Sequence, residues 1–159
     1  MNAIIVKECG DFNLPNVFTL DLNKNYPKDC LGCWSCWWTT PGRCVHKDLD
    51  GFYRSYLKAD KAIFFAKLTH DFVSGNMKSL FDRMICLFLP YITFLEDGRS
   101  GHLPRYDKYP DIEFYYDGTF DSEESKKTFE DYINFVFFQF YSKKIVIKPI
   151  SQYDMEVQK

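Results

Sequence analysis

The segment KAIFFAKL, Lys61–Leu68, is the clearest strand signal in the sequence. Successive side chains of a strand point to opposite faces of the sheet. One face of this segment is apolar throughout, with Ala62, Phe64, Ala66 and Leu68. On the other face Ile63 and Phe65 stand between two lysines, so this face is apolar only at its centre. Such a pattern predicts a strand whose second face lacks a full helical layer.

Four further segments are short and rich in β-branched or aromatic residues, which predicts the strands Ala3–Lys7, Val17–Leu22, Ile112–Asp117 and Lys144–Ile150. Helices are predicted from Asp48 or Asp50 to Tyr56, from about Gly75 to Phe88 with Ser74 as cap and Pro90 as stop, and from Asp121 to about Tyr141. Strands that alternate with helices indicate an α/β fold with a mostly parallel sheet. With 159 residues, the chain is predicted to form a single domain over residues 1–159.

Two connections are too short to contain a helix. Residues 8–16 separate the first two strands, whereas a parallel crossover with a helix takes about a dozen residues or more. Residues 151–159 follow the last strand and are equally few. The first and last helices are therefore predicted to be missing or rudimentary. An extended link of about 33 Å can still keep the first two strands parallel, and a hairpin between them is the alternative.

The second face of the predicted sheet carries an apolar centre. Its members are Ile5, Ile63, Phe65, Tyr115 and Val146. An uncovered apolar cluster marks an interface, so we expect a homodimer that pairs through this uncovered sheet face. The alternative is that the link at residues 8–16 or the tail after Ile150 folds over the cluster.

Composition excludes several classes of partner. Lys and Arg number 20 against 22 Asp and Glu, so no broad basic field is available for nucleic acid or an anionic membrane. No apolar run reaches the roughly 18 residues of a membrane span, and the N-terminus does not read as a secretory leader. We therefore expect a cytoplasmic protein that binds neither nucleic acid nor membrane. In that compartment its six cysteines are thiols or metal ligands rather than disulfides.

Four of the cysteines follow the spacing C-x2-C-x2-C-x7-C, at Cys30, Cys33, Cys36 and Cys44. Three thiolates two residues apart can converge on a compact cluster, and a fourth beyond the Pro41-Gly42 turn can close it, as iron–sulfur ligation requires. Zinc is a second interpretation, although its sites more often use paired knuckles. Free or redox-active thiols are the third.

Four segments carry a family resemblance: Cys30-Leu31-Gly32-Cys33 through Thr40-Pro41-Gly42-Arg43-Cys44, then Lys47-Asp48, Val73-Ser74-Gly75 and Phe81-Asp82-Arg83. With these segments the chain resembles the NAD(P)H-dependent FMN reductase and iron–sulfur flavoprotein group of the flavodoxin-like superfamily. The resemblance is best over residues 17–90. It implies a five-stranded parallel sheet in the order 2-1-3-4-5 that uses FMN, and in some members a [4Fe-4S] cluster, to move electrons from NAD(P)H or ferredoxin. It also implies that the first and last helices share one side of the sheet.

Two parts of the family pattern are replaced in this chain. The family grips the FMN phosphate with a Ser, Gly and Thr-rich loop at a helix start, whereas this chain has Glu8-Cys9-Gly10-Asp11-Phe12, whose carboxylates would repel a phosphate. The loop after the third strand also departs from the family. Its residues Thr69, His70 and Asp71 are still the predicted flavin-binding residues, because open α/β sheets bind ligands at the carboxyl ends of their strands. The resemblance makes Cys30, Cys33, Cys36 and Cys44 the predicted cluster ligands.

The sequence leaves two functional hypotheses. The first is a redox protein, an FMN reductase-type oxidoreductase or electron carrier that uses FMN, an Fe–S cluster or both, with NAD(P)H or a redox partner. The second is a relative without FMN that serves as an interaction or regulatory subunit.

Other conspicuous residues are given structural roles. The tryptophans Trp34, Trp37 and Trp38 are predicted to pack the cysteine loop onto the domain, with a cluster shield or a flavin wall as alternatives. Lys78, Asp82 and Arg83 have helical spacing and are predicted to form surface pairs. His46 and His102 are interpreted as loop histidines, and Cys9 and Cys86 as buried thiols.

Overall fold

A computed structural model describes residues 2–12 and 14–153. Its strands are β1 (Ala3–Lys7), β2 (Phe18–Asp21), β3 (Lys61–Lys67), β4 (Phe88–Phe94), β5 (Ser100–Pro104), β6 (Asp111–Asp117) and β7 (Ile145–Pro149). Five of them form a parallel sheet in the order β2-β1-β3-β6-β7, which is the predicted order 2-1-3-4-5. Ile4 of β1 lies beside Phe18 of β2 in parallel register, so the hairpin alternative is wrong.

The helices of the described residues are α1 (Ser35–Trp38), α2 (Asp50–Lys58), α3 (Gly75–Arg83) and α4 (Glu123–Gln139). Ser74 and Ser122 cap α3 and α4, since their hydroxyls accept hydrogen bonds from backbone N–H groups of the first turn. The described part of the β1–β2 link contains no helix, and the residues described after β7, up to Tyr153, contain a 3-10 turn, Ile150–Gln152, but no α-helix. None of the described helices has both the length and the apolar character of a membrane span.

The three longer helices pack on one face of the sheet. Their buried side chains include Phe52 and Tyr56 of α2, Met77 and Leu80 of α3, and Phe129, Ile133 and Phe137 of α4. These side chains meet the strand residues Val6, Phe64 and Phe114, and the rings of Phe64 and Phe114 stack with centroids 5.7 Å apart. Removal of these large apolar surfaces from water stabilises the helical layer on this face.

The second face carries no α-helix among the described residues, yet its centre is covered. The buried cluster on this face consists of Ile5, Ile63, Phe65 and Tyr115. Phe12 of the β1–β2 link stacks on Phe65 with centroids 4.1 Å apart, and Tyr153 packs edge-on against the same ring at 4.8 Å. The expectation of an uncovered face is therefore wrong, and the alternative of a covering link and tail is confirmed. The homodimer was predicted because this face was expected to be uncovered, and the structure removes that reason.

The structure also contains a hairpin, β4–β5, that the sequence interpretation lacks. The predicted helix to Phe88 ends at Arg83, and a 3-10 turn, Met84–Leu87, leads into β4. Pro90 lies inside β4, where the register with β5 shifts, so it does not terminate a helix. Asp97-Gly98, with Gly98 at a φ of 83°, is the turn signal that identifies the hairpin.

Replacing Phe12 by alanine is expected to lower the free energy of unfolding by about 2 kcal/mol, because the substitution removes the ring that covers Phe65. Phe94→Ala is the matched control, since Phe94 is 83 % exposed, and it should change stability by less than about 0.5 kcal/mol. Urea denaturation measures both values. Equal effects of the two substitutions would contradict the covering role of the link.

Candidate functional site

The loop between β2 and α2 forms a cavity of about 60 Å³ that all four predicted ligand cysteines line. We call it the cysteine cavity. Cys30 and Cys33 are exposed, whereas Cys36 and Cys44 are half-buried. The remaining wall residues are Leu31, Gly32, Trp34, Val45, His46, Arg83 and Ile85. The structure therefore brings together the four residues that the sequence spacing selected.

A buried arginine fastens this loop to α3. Arg83 is 1 % exposed, and its guanidinium donates to the Asp48 carboxylate at 2.6 Å. It also donates to the backbone carbonyls of Lys28 at 2.7 Å and His46 at 3.2 Å. Lys28 precedes the first cavity cysteine, and His46 and Asp48 follow the last one. Arg83 consequently holds both ends of the cysteine loop.

The prediction that Arg83 forms a surface pair is wrong, while Lys78 and Asp82 do form an exposed ion pair. Burial by itself raises the pKa of Asp48, but hydrogen bonds from Arg83 and from the backbone of Lys28 outweigh it and hold this pKa below its ordinary 3.8. The sequence gives no signal for the Asp48–Arg83 contact, because its partners are 35 positions apart in different elements.

Cys33 and Cys36 have opposite environments in the cavity. Hydrogen bonds from the side chain and backbone of Ser35 lower the pKa of Cys33. Burial raises the pKa of Cys36, and the neighbouring Cys44 and Cys30 add to the rise. Burial likewise raises the pKa of Cys86 to about 12, and the predicted burial of this thiol is confirmed. Cys33 is therefore easier to ionise than Cys36 or Cys86.

The cavity has the donor chemistry of an iron–sulfur site but not its arrangement. Over the part of the chain that the structure describes, no three Cys, His, Asp or Glu side chains are grouped so that they could hold a metal ion. The four cysteines share the cavity wall without such a grouping. A cluster bound by Cys30, Cys33, Cys36 and Cys44 stays a prediction.

Two polar atoms of the cavity residues are buried without a hydrogen-bond partner among the described residues. They are His46 Nε2 and Arg83 Nε. Buried polar groups in folded proteins are nearly always paired, so each unpaired one needs an explanation. Both residues line the cavity. His46, interpreted from the sequence as a loop histidine, thus belongs to the cavity wall.

The tryptophans divide between packing and exposure. Trp37 is buried, and its indole N–H donates to the Ile85 carbonyl at 3.2 Å. Its ring lies 4.8 Å from the rings of Trp34 and His102, so it joins the cysteine loop to the β4–β5 hairpin. Trp37 therefore has the predicted packing role. Trp34 and Trp38 are instead more than half exposed.

Thr69, His70 and Asp71 form a tight turn after β3. Thr69 and Phe72 exchange backbone hydrogen bonds of 2.8 and 3.1 Å, and His70 and Asp71 both adopt left-handed backbone conformations. The Asp71 carboxylate accepts a hydrogen bond from the backbone N–H of Asp121 at 3.1 Å. This turn lies before α3, whereas the cysteine cavity lies at the end of α3. A helix of nine residues is about 13 Å long, so the two predicted sites are separate.

A carboxylate of the chain lies where the strand order reverses, between β1 and β3. Open α/β sheets bind ligands at this point. Glu8, directly after β1, accepts hydrogen bonds from the backbone N–H of Lys67 at 3.1 Å and from the hydroxyl of Ser74. Because Ser74 caps α3, the carboxylate also lies at a helix N-terminus, which favours an anion. Burial raises the pKa of Glu8.

No family model matches the sequence, and no curated protein is significantly similar to it. Solved structures do match. The azoreductase from Bacillus anthracis str. Sterne is 12 % identical with a TM-score of 0.60, over 92 % of this chain and 85 % of that chain. Smu.1420 from Streptococcus mutans UA159 is 11 % identical with a TM-score of 0.61, over 99 % and 93 %.

A third match is an FMN-dependent NADH-azoreductase from Bacillus anthracis str. Ames Ancestor, solved in complex with FMN. It is 11 % identical with a TM-score of 0.51, over 99 % of this chain and 92 % of that chain. This chain has a flavodoxin-like fold. The fold implied by the sequence resemblance is confirmed, and identities this low establish the fold alone.

Replacing Arg83 by methionine is expected to lower the free energy of unfolding by about 2 to 3 kcal/mol, because Asp48 and two carbonyls lose their donor. Lys78→Met is the matched control on the same helix, where an exposed pair contributes less than about 0.5 kcal/mol. Urea denaturation measures stability, and limited proteolysis reports whether the cysteine loop detaches. An Arg83→Met variant as stable as Lys78→Met would refute the fastening role.

Proposed function

We propose that this chain is a flavodoxin-like redox protein and that the cysteine cavity is its redox centre. The main support is that four cysteines of one loop line a single cavity, together with a buried arginine and a histidine that each leave a polar atom unpaired. Cysteine thiols carry electrons directly by forming disulfides, or they hold an iron–sulfur cluster. The structural likeness to azoreductases, which are oxidoreductases, supports redox chemistry of some kind.

FMN is the cofactor that the fold suggests, since one structural neighbour was solved in complex with it. The residues after β1 do not fit its phosphate. The Glu8 carboxylate already accepts hydrogen bonds from the backbone N–H of Lys67 and the hydroxyl of Ser74. No helix begins in the described part of the link that follows, so no helix N-terminus is present there to bind a phosphate. The proposal therefore places the chemistry on the thiols. Flavin binding at Thr69, His70 and Asp71 and reduction by NAD(P)H stay predictions from the sequence, and the proposal does not adopt them.

The thiols can act without any bound group. Two thiols that form a disulfide release two electrons and two protons, which is a complete redox couple. Cys30, Cys33, Cys36 and Cys44 would instead be the ligands of an iron–sulfur cluster, which would supply single-electron transfer when bound. Both versions locate the redox centre in the same cavity.

Anaerobic purification followed by equilibration in a graded series of thiol–disulfide buffers tests the proposal. We expect two cavity thiols to become protected from alkylation as the buffer becomes more oxidising, and to react with the alkylating reagent again after reduction. Mass spectrometry measures the number of alkylated thiols. Cys9→Ser is the control, because Cys9 packs on the second sheet face away from the cavity. A cluster spectrum from the cavity cysteines would also support the proposal. The proposal is refuted if all cavity thiols react with the alkylating reagent in every buffer and if reconstitution with iron and sulfide also gives no visible absorbance.

Titration with FMN, followed by flavin fluorescence, tests the cofactor separately. We expect no binding at micromolar FMN, because the Glu8 carboxylate occupies the anion position at the end of β1. Glu8→Ser removes that charge and should improve affinity by about tenfold or more. Asp11→Ser is the matched control, since it removes a carboxylate from the same link at an exposed position. Tight binding of FMN by the wild type would contradict this expectation and would identify a bound flavin as the redox centre.

A second candidate function is an interaction or regulatory subunit without FMN. The Glu8 carboxylate at the strand-order reversal favours it, and the exposed Tyr91, Ile92 and Phe94 on β4 provide an apolar surface for a partner. Homodimerisation stays a prediction under either function. Light scattering at several protein concentrations tests whether a second copy is that partner, with Phe94→Ser as the variant that should weaken association.

A further inference from the structure

The cysteine cavity contains the sequence Cys33-Trp34-Ser35-Cys36, which places two thiols at the start of α1. Cys33 is exposed and Cys36 is half-buried, and both line the cavity. Trp34 turns the chain between them in a left-handed conformation with a φ of 59°. Ser35 hydrogen-bonds to Cys33 through its side chain and its backbone. An accessible thiol with a half-buried second thiol three positions further along the chain in the same cavity suits thiol–disulfide exchange.

We propose that Cys33 and Cys36 form a dithiol that reduces a disulfide of a peptide or of a small thiol compound, with Cys33 as the attacking thiol and Cys36 as the resolving thiol. This inference rests on the proposed function and deepens it. It specifies which two cavity thiols make up the redox couple and which class of molecule receives their electrons.

The exchange proceeds in two balanced steps. The thiolate of Cys33 attacks one sulfur of the substrate disulfide, that sulfur–sulfur bond breaks, and the first substrate thiol leaves and takes up a proton. Cys36 then loses its proton and attacks the Cys33 sulfur, which forms the Cys33–Cys36 disulfide and releases the second substrate thiol. Two electrons and two protons have passed from the protein to the substrate.

The walls of the cavity suit this chemistry. Arg83 is almost completely buried and lines the cavity, so its guanidinium places a positive charge in the wall. A positive charge in the wall attracts a thiolate that forms in the cavity. The rim is apolar, because Leu31, Trp34 and Val45 line the cavity while they are 66 %, 52 % and 46 % exposed. This rim fits a cystine that has apolar neighbours in a peptide.

Cys30 and Cys44 share the cavity and have to be distinguished from the proposed pair. Cys30 is exposed like Cys33, so it is the competing attacker. Cys44 is half-buried like Cys36, so it is the competing resolver. Cys30→Ser and Cys44→Ser are therefore the matched controls for Cys33→Ser and Cys36→Ser.

The reduced full-length protein is mixed anaerobically with one of two probes, oxidised glutathione or the disulfide-linked dimer of acetyl-Phe-Cys-Leu-amide. The wild type is expected to become lighter by the mass of two hydrogens and to carry a Cys33–Cys36 disulfide. Cys36→Ser should accumulate a mixed disulfide on Cys33, and Cys33→Ser should react at least about tenfold more slowly. Cys30→Ser and Cys44→Ser should still form the Cys33–Cys36 disulfide, and Cys9→Ser, outside the cavity, should behave like the wild type. Cys36→Ala replaces Cys36→Ser if the serine variant does not fold.

Two results would overturn the assignment of Cys33 and Cys36 as the redox pair. One is a disulfide between Cys30 and Cys44 in the wild type, and the other is a mixed disulfide on Cys30 in the Cys36→Ser variant. Either result would still support the cavity as the redox centre. If no disulfide forms at all, the dithiol assignment fails, and the proposed function fails with it only if reconstitution with iron and sulfide also gives no visible absorbance. Faster reaction with the peptide than with glutathione supports recognition by the apolar rim. Faster reaction with glutathione overturns that recognition and identifies the substrate as a small thiol compound.

Discussion

The structure depends on one constraint: a five-stranded parallel sheet has two faces with apolar centres, and the described chain provides helices for only one of them. Aromatic side chains cover the other. Phe12 comes from the β1–β2 link and Tyr153 from the residues after β7, and both rings pack on Phe65. Because an aromatic ring buries a large area, two rings can cover part of the surface that a helix would occupy.

The way in which the link covers the second face also determines which groups lie at the end of β1. A link that lies across the sheet to place Phe12 on Phe65 does not form a helix whose N-terminus could receive a phosphate. The anion position is filled from within the chain, by Glu8 on Ser74 and Lys67. The covering of the second face and the lack of a helix in the described part of the link after β1 therefore have the same structural cause.

α3 connects the two chemically distinct regions of the molecule. At its N-terminus the cap Ser74 contacts the carboxylate of Glu8, and at its C-terminus the cation of Arg83 holds the cysteine loop. An anion at the start of a helix and a cation at its end both stabilise the helix through its dipole. The same helix, about 13 Å long, therefore fixes Glu8 at the strand-order reversal through its N-terminus and the cysteine loop through its C-terminus.

The strand order 2-1-3-4-5 was implied by the resemblance to the FMN reductase group. The sequence by itself determined the five strands of the sheet, the two connections too short for a helix, the cap at Ser74 and the set of four cysteines. These features follow from period-two patterns, short connections and local spacing, which are properties of neighbouring residues. Only the tertiary structure decided that Phe12 and Tyr153 cover Phe65, that Arg83 pairs with Asp48, and that the segment after α3 returns as a hairpin. The reason is physical: such contacts join residues far apart in the chain, and their partners are set by the paths of loops in three dimensions rather than by any local pattern.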